Sequence, residues 1–219
     1  MGLKVIVAGA TGLVGSRLLH ILLGDIRFES VHVLVRRSTG LTHPRLTEHL
    51  VDFEKPAKWQ ALVKGDVLFS ALGTTLRKAG SKENQFRVDY TYQYELAKAA
   101  AMNGVPDFVL VSSAGADPGS LIFYSKMKGE LEDAVQKLKF RRIFILRPSF
   151  LEGTRLKKRK AEKFMLFLAK VITSIFFRKY RPIRARMVAQ AMINTIFSNE
   201  EGAGTVIYNP GELFYLAIN

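Results

Sequence analysis

Two stretches of this 219-residue chain read Tyr-x-x-x-Lys: Tyr94 with Lys98, and Tyr124 with Lys128. Side chains four apart on a helix share a face, so either lysine can stand beside its tyrosine. A phenol with an ordinary pKa of about 10 is a poor base at neutral pH. A neighbouring ammonium favours the phenolate, and the pair can then exchange a proton with a developing alkoxide. Context separates the two pairs. Tyr124 follows an apolar run that ends in Ser112-Ser113, and a serine hydroxyl there would orient a substrate oxygen and share its charge. Tyr94 is expected to be a packed or partly exposed helix residue. Each member has an ordinary alternative: strand-end polar residues, a helix-start aromatic, a solvated lysine. The conjunction with a second motif argues for chemistry.

That motif lies in the first fifteen residues. Leu3 to Ala8 (LKVIVA) is a short apolar run, followed by Gly9-Ala-Thr-Gly12-Leu-Val-Gly15 and an apolar helical pattern over Leu13 to Leu23. Strand, glycine turn and helix in this order suit a dinucleotide. Gly9 turns the chain, Gly12 lets a pyrophosphate approach bare backbone, and Gly15 lets the helix pack close to the strand. Amide N–H groups at the helix start then face the phosphates. Arg36 lies 21 residues beyond Gly15, beside Arg37, and no acid occurs between Ser30 and Thr47. An acid at this distance would bind a ribose 2′-hydroxyl, whereas arginine accommodates a 2′-phosphate, so NADP(H) is expected over NAD(H).

The elements that position these residues follow from the pattern of apolar runs. Val31 to Val35 reads as a second strand. Thr47 to Val51 reads as a third, leaving Asp52 and Phe53 at its carboxyl end, where an adenine would lie. A short helix is expected near Pro56 to Val63. Asp66 to Ala71 is a fourth strand, and Leu72-Gly73-Thr74-Thr75 leaves it, either letting backbone pass close to a cofactor or as an ordinary βα turn; Arg77, Lys78 and Lys82 make the next loop basic, as a solvated surface. Gln85 to Asn103 is one long helix, stopped by Gly104. Asp107 to Val111 is the fifth strand, Ile122 to Leu138 a helix, and Arg142 to Leu146 a sixth strand closed by Arg147-Pro148-Ser149. Pro182 to Ser198 reads as an amphipathic helix and Gly204 to Tyr208 as a last strand. Alternating strands and helices predict an α/β doubly wound parallel sheet of about seven strands, three-layer αβα, in one domain over residues 1–219.

Composition narrows the classes. Hydrophobic residues make up 48% of the chain, and there is no cysteine, so disulfides, thiolate metal sites and thiol catalysis are excluded. His20, His32, His43 and His49 lack metal-ligand spacing, and His32, alternating with apolar residues, reads as structural. No signal peptide or membrane span is evident, and a cytoplasmic location is expected. The charge is local: between Thr154 and Arg186 stand twelve bases against one acid, Glu162, most of the chain's net +14. Within this stretch Phe164 to Phe177 is apolar but for Lys170. It suits a lid or core helix over the substrate side, contact with an anionic membrane surface through 157–186, or a partner interface. No recognition motif accompanies the charge, and no nucleic acid is expected.

Taken in order, GATGLVG, LGTT, VSSAGAD, YSKMKGELE and RPSFLEG resemble the atypical short-chain dehydrogenase/reductases, over roughly residues 3–165. The branch most similar is that of the Tat-interacting tumour-suppressor oxidoreductase and its bacterial relatives. The resemblance implies a Rossmann sheet with NADPH in its crevice and Ser113, Tyr124 and Lys128 as the catalytic group, with Ser113 preferred to Ser112. It also implies that Thr11, Leu13 and Val14 meet the pyrophosphate, Arg36 and Arg37 the 2′-phosphate, and Pro148 and Ser149 the nicotinamide side. Gly9, Gly12, Gly15, Asp52, Phe53, Ala71, Leu72, Gly73 and Ser112 complete the expected cofactor set with Tyr124 and Lys128. Three functions are compatible with this: an NADPH-dependent reductase of a small or lipid-like carbonyl, an NADP(H)-binding regulatory or assembly protein, and a sugar-nucleotide epimerase or dehydratase. A homodimer through surface helices is compatible with each.

Overall fold

The computed structural model describes residues 2–152, 181–198 and 202–218. Seven parallel strands form one sheet: β1 (Leu3–Ala8), β2 (Phe28–Val35), β3 (Leu46–Leu50), β4 (Val67–Ser70), β5 (Asp107–Val111), β6 (Arg142–Leu146) and β9 (Gly204–Tyr208), in the order β3-β2-β1-β4-β5-β6-β9. The chain winds outward from β1 in one direction and then returns to add β4 on its other side. The switch point therefore falls between β1 and β4, and a crevice opens beyond their carboxyl ends. Two further strands, β7 (Leu151–Glu152) and β8 (Ile183–Arg184), pair with each other alone.

Helices cover both faces, which is why the central strands are apolar on both sides. Val5 and Val7 of β1 point into a core with α1 (Leu13–Gly24) and the helix Ala185–Phe197. Ile6 and Ala8 point into the opposite core, with the helices Tyr92–Met102 and Phe123–Gln136. Among the described residues the helices after α1 are, in chain order, α2 (Leu76–Ala79), α3 (Lys82–Phe86), α4 (Tyr92–Met102), α5 (Phe123–Gln136), α6 (Ala185–Phe197) and α7 (Pro210–Leu216).

The structure departs from the sequence expectation in three places. The single helix expected over Gln85–Asn103 is α3, a wide turn of π geometry over Arg87–Thr91, and α4. Such a turn carries one residue more per hydrogen-bonded ring and reorients the side chains on it; here Asp89 and, in the next turn, Gln93 are buried. The helix expected near Pro56 is two 3-10 turns, Pro56–Lys58 and Gln60–Leu62, on either side of the buried Trp59. Helix α7 was not foreseen, although Asn209-Pro-Gly-Glu212 spells its start: Asn209 and Glu212 form a reciprocal capping box, with Pro210 in the first turn. His32, read as structural, stacks its ring on His49 of the edge strand β3, with Nδ1 3.1 Å from the His49 Nε2. The expectations for Phe164–Phe177 and for most of the basic stretch fall on residues 153–180, outside the described residues.

Two glycines of α1 test the packing. A Cβ on Gly15 would lie 2.1 Å from the Gly9 carbonyl oxygen, whereas one on Gly24 would meet nothing within 4 Å. Gly15→Ala is expected to lower stability by about 1–3 kcal/mol in urea unfolding. Gly24→Ala, at the other end of the same helix, is expected to leave stability unchanged or slightly higher.

Candidate dinucleotide and proton-transfer site

The glycine loop joins the two halves of the sheet at the switch point. Gly9 has φ +86, and a Cβ there would stand 2.5 Å from the carbonyl of Ala71, at the end of β4. Gly12 donates its N–H to Gly9 O at 2.8 Å and precedes α1 with no side-chain cap. The open N–H groups of the first helical turn therefore stay available to an anion. Val14 and Gly15 are buried in this turn, so their part in such a site is through backbone; Leu13 is partly exposed.

A cavity of about 510 Å³ opens over this loop, walled by Gly9, Thr11, Gly12, Arg36, Arg37, Phe53, Ala71, Leu72 and Gly73 among others. Nine of the residues expected around a cofactor thus share one cavity. Lys78 lines it too, correcting its assignment to a merely solvated loop. Arg36, Arg37 and Lys78 place three cations in a wall that contains no acid. Asp52 stands apart: it pairs with Lys55 at 3.2 Å and accepts the Glu54 N–H. Phe53 is held by Trp59 and Tyr92, whose ring centroids lie 5.8 and 5.4 Å away. Burial and a hydrogen bond to Glu54 push Tyr92 up to about 12, so this tyrosine keeps its proton.

The second group gathers beyond β5 and β6. Lys128 Nζ lies 6.0 Å from the centroid of the Tyr124 ring, one turn earlier on α5. Tyr124 is partly exposed, and Lys128 is buried. The loop bearing Ser113 is docked on the same helix: the Asp117 N–H donates to Ser125 O at 3.1 Å, and a Cβ on Gly129 would lie 2.2 Å from Pro118 N. Ala114 N donates to Pro148 O at 2.9 Å, joining this loop to the one after β6.

The two serines differ in what they are free to do. Ser112 Oγ donates to Glu132 Oε1 at 2.5 Å, and the buried Glu132 is also held by Arg147, whose Nη2 lies 2.5 Å from Oε2. Ser112 is thereby committed to the interior, whereas Ser113 Oγ has a long contact of 3.4 Å to Ala114 O. The Ser149 hydroxyl is likewise committed, to Arg181 O at 2.5 Å. Pro148 is buried.

The sequence reading passed over Asp89. Its carboxylate lies 3.3 Å from Lys128 Nζ and accepts the Thr74 N–H at 2.9 Å. Burial pushes the Asp89 carboxyl above the usual carboxylate range, against the pull of Lys128 and Thr74. No motif flags it: an aspartate inside a predicted helix reads as solvated until the wide turn at Arg87–Thr91 directs it inward.

Parallel sheet, switch-point crevice and glycine cradle define a Rossmann domain. A family model described as NAD(P)H-binding matches residues 9–163, and the chain belongs to this family. Protein FMP52, mitochondrial, of Debaryomyces hansenii is 39% identical over 160 residues, covering 71% of this chain and 70% of that protein. The protein of the same name in Candida albicans is 40% identical over 158 residues, 70% of this chain and 69% of that protein. Among solved structures, Bordetella bronchiseptica WbmH in complex with NAD+ superposes with TM-score 0.68 at 19% identity, covering 95% of this chain and 76% of that one. A UDP-galactose 4-epimerase does so at 0.68 and 18%, covering 94% and 77%. The relatives' names correct the cytoplasmic expectation, since they are mitochondrial proteins.

Glu132 serves two donors from a buried position. Glu132→Ala is expected to cost about 3–5 kcal/mol by denaturant unfolding, because it leaves Arg147 and Ser112 without their acceptor.

Proposed function

We propose that this chain is an NADP(H)-dependent oxidoreductase that reduces an apolar carbonyl compound, with Tyr124 as proton donor. The observation that carries the reading is the Tyr124–Lys128 pair, at the same sheet edge as a glycine-floored cavity with three cations and no acid. The residues fit the cofactor: Gly9, Gly12 and the open amides of α1 would hold a pyrophosphate, Phe53 an adenine, and Arg36 and Arg37 a 2′-phosphate. A bound reduced nicotinamide would supply hydride to the carbonyl carbon. Tyr124 then gives its phenolic proton to the developing alkoxide, and the Lys128 ammonium stabilises the phenolate left behind. Ser113, whose hydroxyl is less committed than that of Ser112, orients the carbonyl oxygen.

The apolar character of the substrate is supported by the rim. Leu121, Ile122 and Phe150 are exposed on the loops that follow β5 and β6, and Leu76 is exposed at the start of α2, after β4. We place the activity in mitochondria on the strength of the relatives' names, and we keep the basic stretch 157–186 as a contact for an anionic membrane surface. The resemblance to the Tat-interacting branch also supports a second reading, a cofactor-binding regulator with little turnover.

Calorimetric titration is expected to show tighter binding of NADPH than of NADH. Joint replacement of Arg36 and Arg37 by alanine should weaken NADPH by about 10- to 100-fold while leaving NADH nearly unchanged. Equal affinity of the unaltered protein for the two would refute the 2′-phosphate assignment. Tyr124→Phe is expected to keep NADPH affinity within about twofold and to lower carbonyl reduction by about 100-fold or more in a substrate screen. Undiminished turnover removes Tyr124 from its role, and a folded, cofactor-binding protein without turnover favours the regulatory reading.

A further inference from the structure

Lys128 and Asp89 are buried together, their side chains 2% and 1% exposed, with Nζ 3.3 Å from Oδ1. The other carboxylate oxygen, Oδ2, accepts the Thr74 N–H from the loop after β4, whose residues line the cavity. Behind Asp89, Gln93 Nε2 donates to the Asp89 backbone carbonyl at 2.8 Å, and Gln93 Oε1 accepts from Ser70 Oγ at 2.8 Å. Gln93 and Ser70 carry no charge. Among the described residues, Asp89 is thus the ion-pair partner of Lys128, and Tyr124 is the titratable ring that the ammonium faces. An ammonium buried to this degree without a counter-ion gives up its proton far below the usual lysine range. As a neutral amine it would do nothing for a phenolate.

We propose that Asp89 is a positioning residue of the Tyr124–Lys128 pair: it keeps the buried Lys128 charged and fastens it, through Thr74, to the wall of the cofactor cavity. The proposal rests on the reading of Tyr124 and Lys128 given above. It requires a carboxylate, because both oxygens act as acceptors, one for an ammonium and one for an amide. Asparagine offers one acceptor and one donor, so it cannot serve Lys128 and Thr74 together. The arrangement also explains why the helix is widened at Arg87–Thr91. An ideal helical path is replaced there by one that brings Asp89 inside, and the distortion is offset by a paired charge.

The test reads the lysine directly. In protein labelled with nitrogen-15 at lysine, a buried, ion-paired ammonium gives a slowly exchanging signal at neutral pH, assigned by its absence from Lys128→Gln. We expect this signal in the unaltered protein and its loss in Asp89→Asn. In parallel, the tyrosinate absorbance of Tyr124, isolated by subtracting the Tyr124→Phe titration, should emerge about one pH unit or more higher in Asp89→Asn. A retained ammonium signal with an unmoved tyrosinate titration overturns the proposal. Should Asp89→Asn fail to fold, the double variant Asp89→Asn, Lys128→Gln decides. If the double variant folds, the lone ammonium is what the interior rejects, as proposed; an equally unfolded double variant makes Asp89 a fold element through Thr74 and overturns it. None of these readouts needs a cofactor. NADPH titration of the unaltered protein reports separately on the cofactor reading.

Discussion

Three stretches of backbone meet at the switch point with no room for a side chain between them. Gly9 lies against the Ala71 carbonyl, and Gly15 lies against the Gly9 carbonyl. Because β1 and β4 are adjacent in the sheet but far apart in sequence, this contact sets how near the two halves of the domain approach each other. The approach in turn determines the floor of the cavity and the direction of the first turn of α1. A methyl group at either glycine would lift the helix from the sheet and fill the place where an anion can meet bare amides.

Two connected sets of buried polar groups lie near this contact, and among the described residues their side chains are satisfied. Ser70, Gln93, Asp89, Lys128 and Thr74 form one connected set, and Ser112, Glu132 and Arg147 another. The two sets flank β5, the strand whose loop carries Ser113. Because partly satisfied buried networks are costly, their completeness holds the loops after β4, β5 and β6 in place without help from a ligand. Tyr124 stands beside them, partly open to solvent.

The sheet was largely legible from sequence because fully buried parallel strands are short, β-branched, apolar runs, and β1, β5, β6 and β9 fall where those runs fall. Glycine spacing announced the cradle for the same local reason. Legibility ended where a residue's role depends on distant partners. Periodicity cannot show that Asp89 turns inward through a widened turn, that Lys78 overhangs the cavity, or that Ser112 is claimed by Glu132 twenty residues on. Helix α7 is a different case, since its capping box is a local signal that was present and unread. Asp52 shows the converse limit: a strand-end position suggested a ligand contact, and a neighbouring lysine claimed the carboxylate.

The small pair β7–β8 has an effect out of proportion to its size. Leu151 stands opposite Ile183 and Glu152 opposite Arg184, with Ile183 N also bonded to Phe150 O. The two ends of the thirty-residue stretch between Glu152 and Ile183 are therefore held side by side. The entropy of closing a loop grows only with the logarithm of its length, about 0.6 kcal/mol per doubling. Such a junction lets the intervening sequence lengthen, shorten or change its composition while β6, α6 and β9 keep their register. Evolution can thus revise that stretch of sequence without renegotiating the fold that holds the cavity.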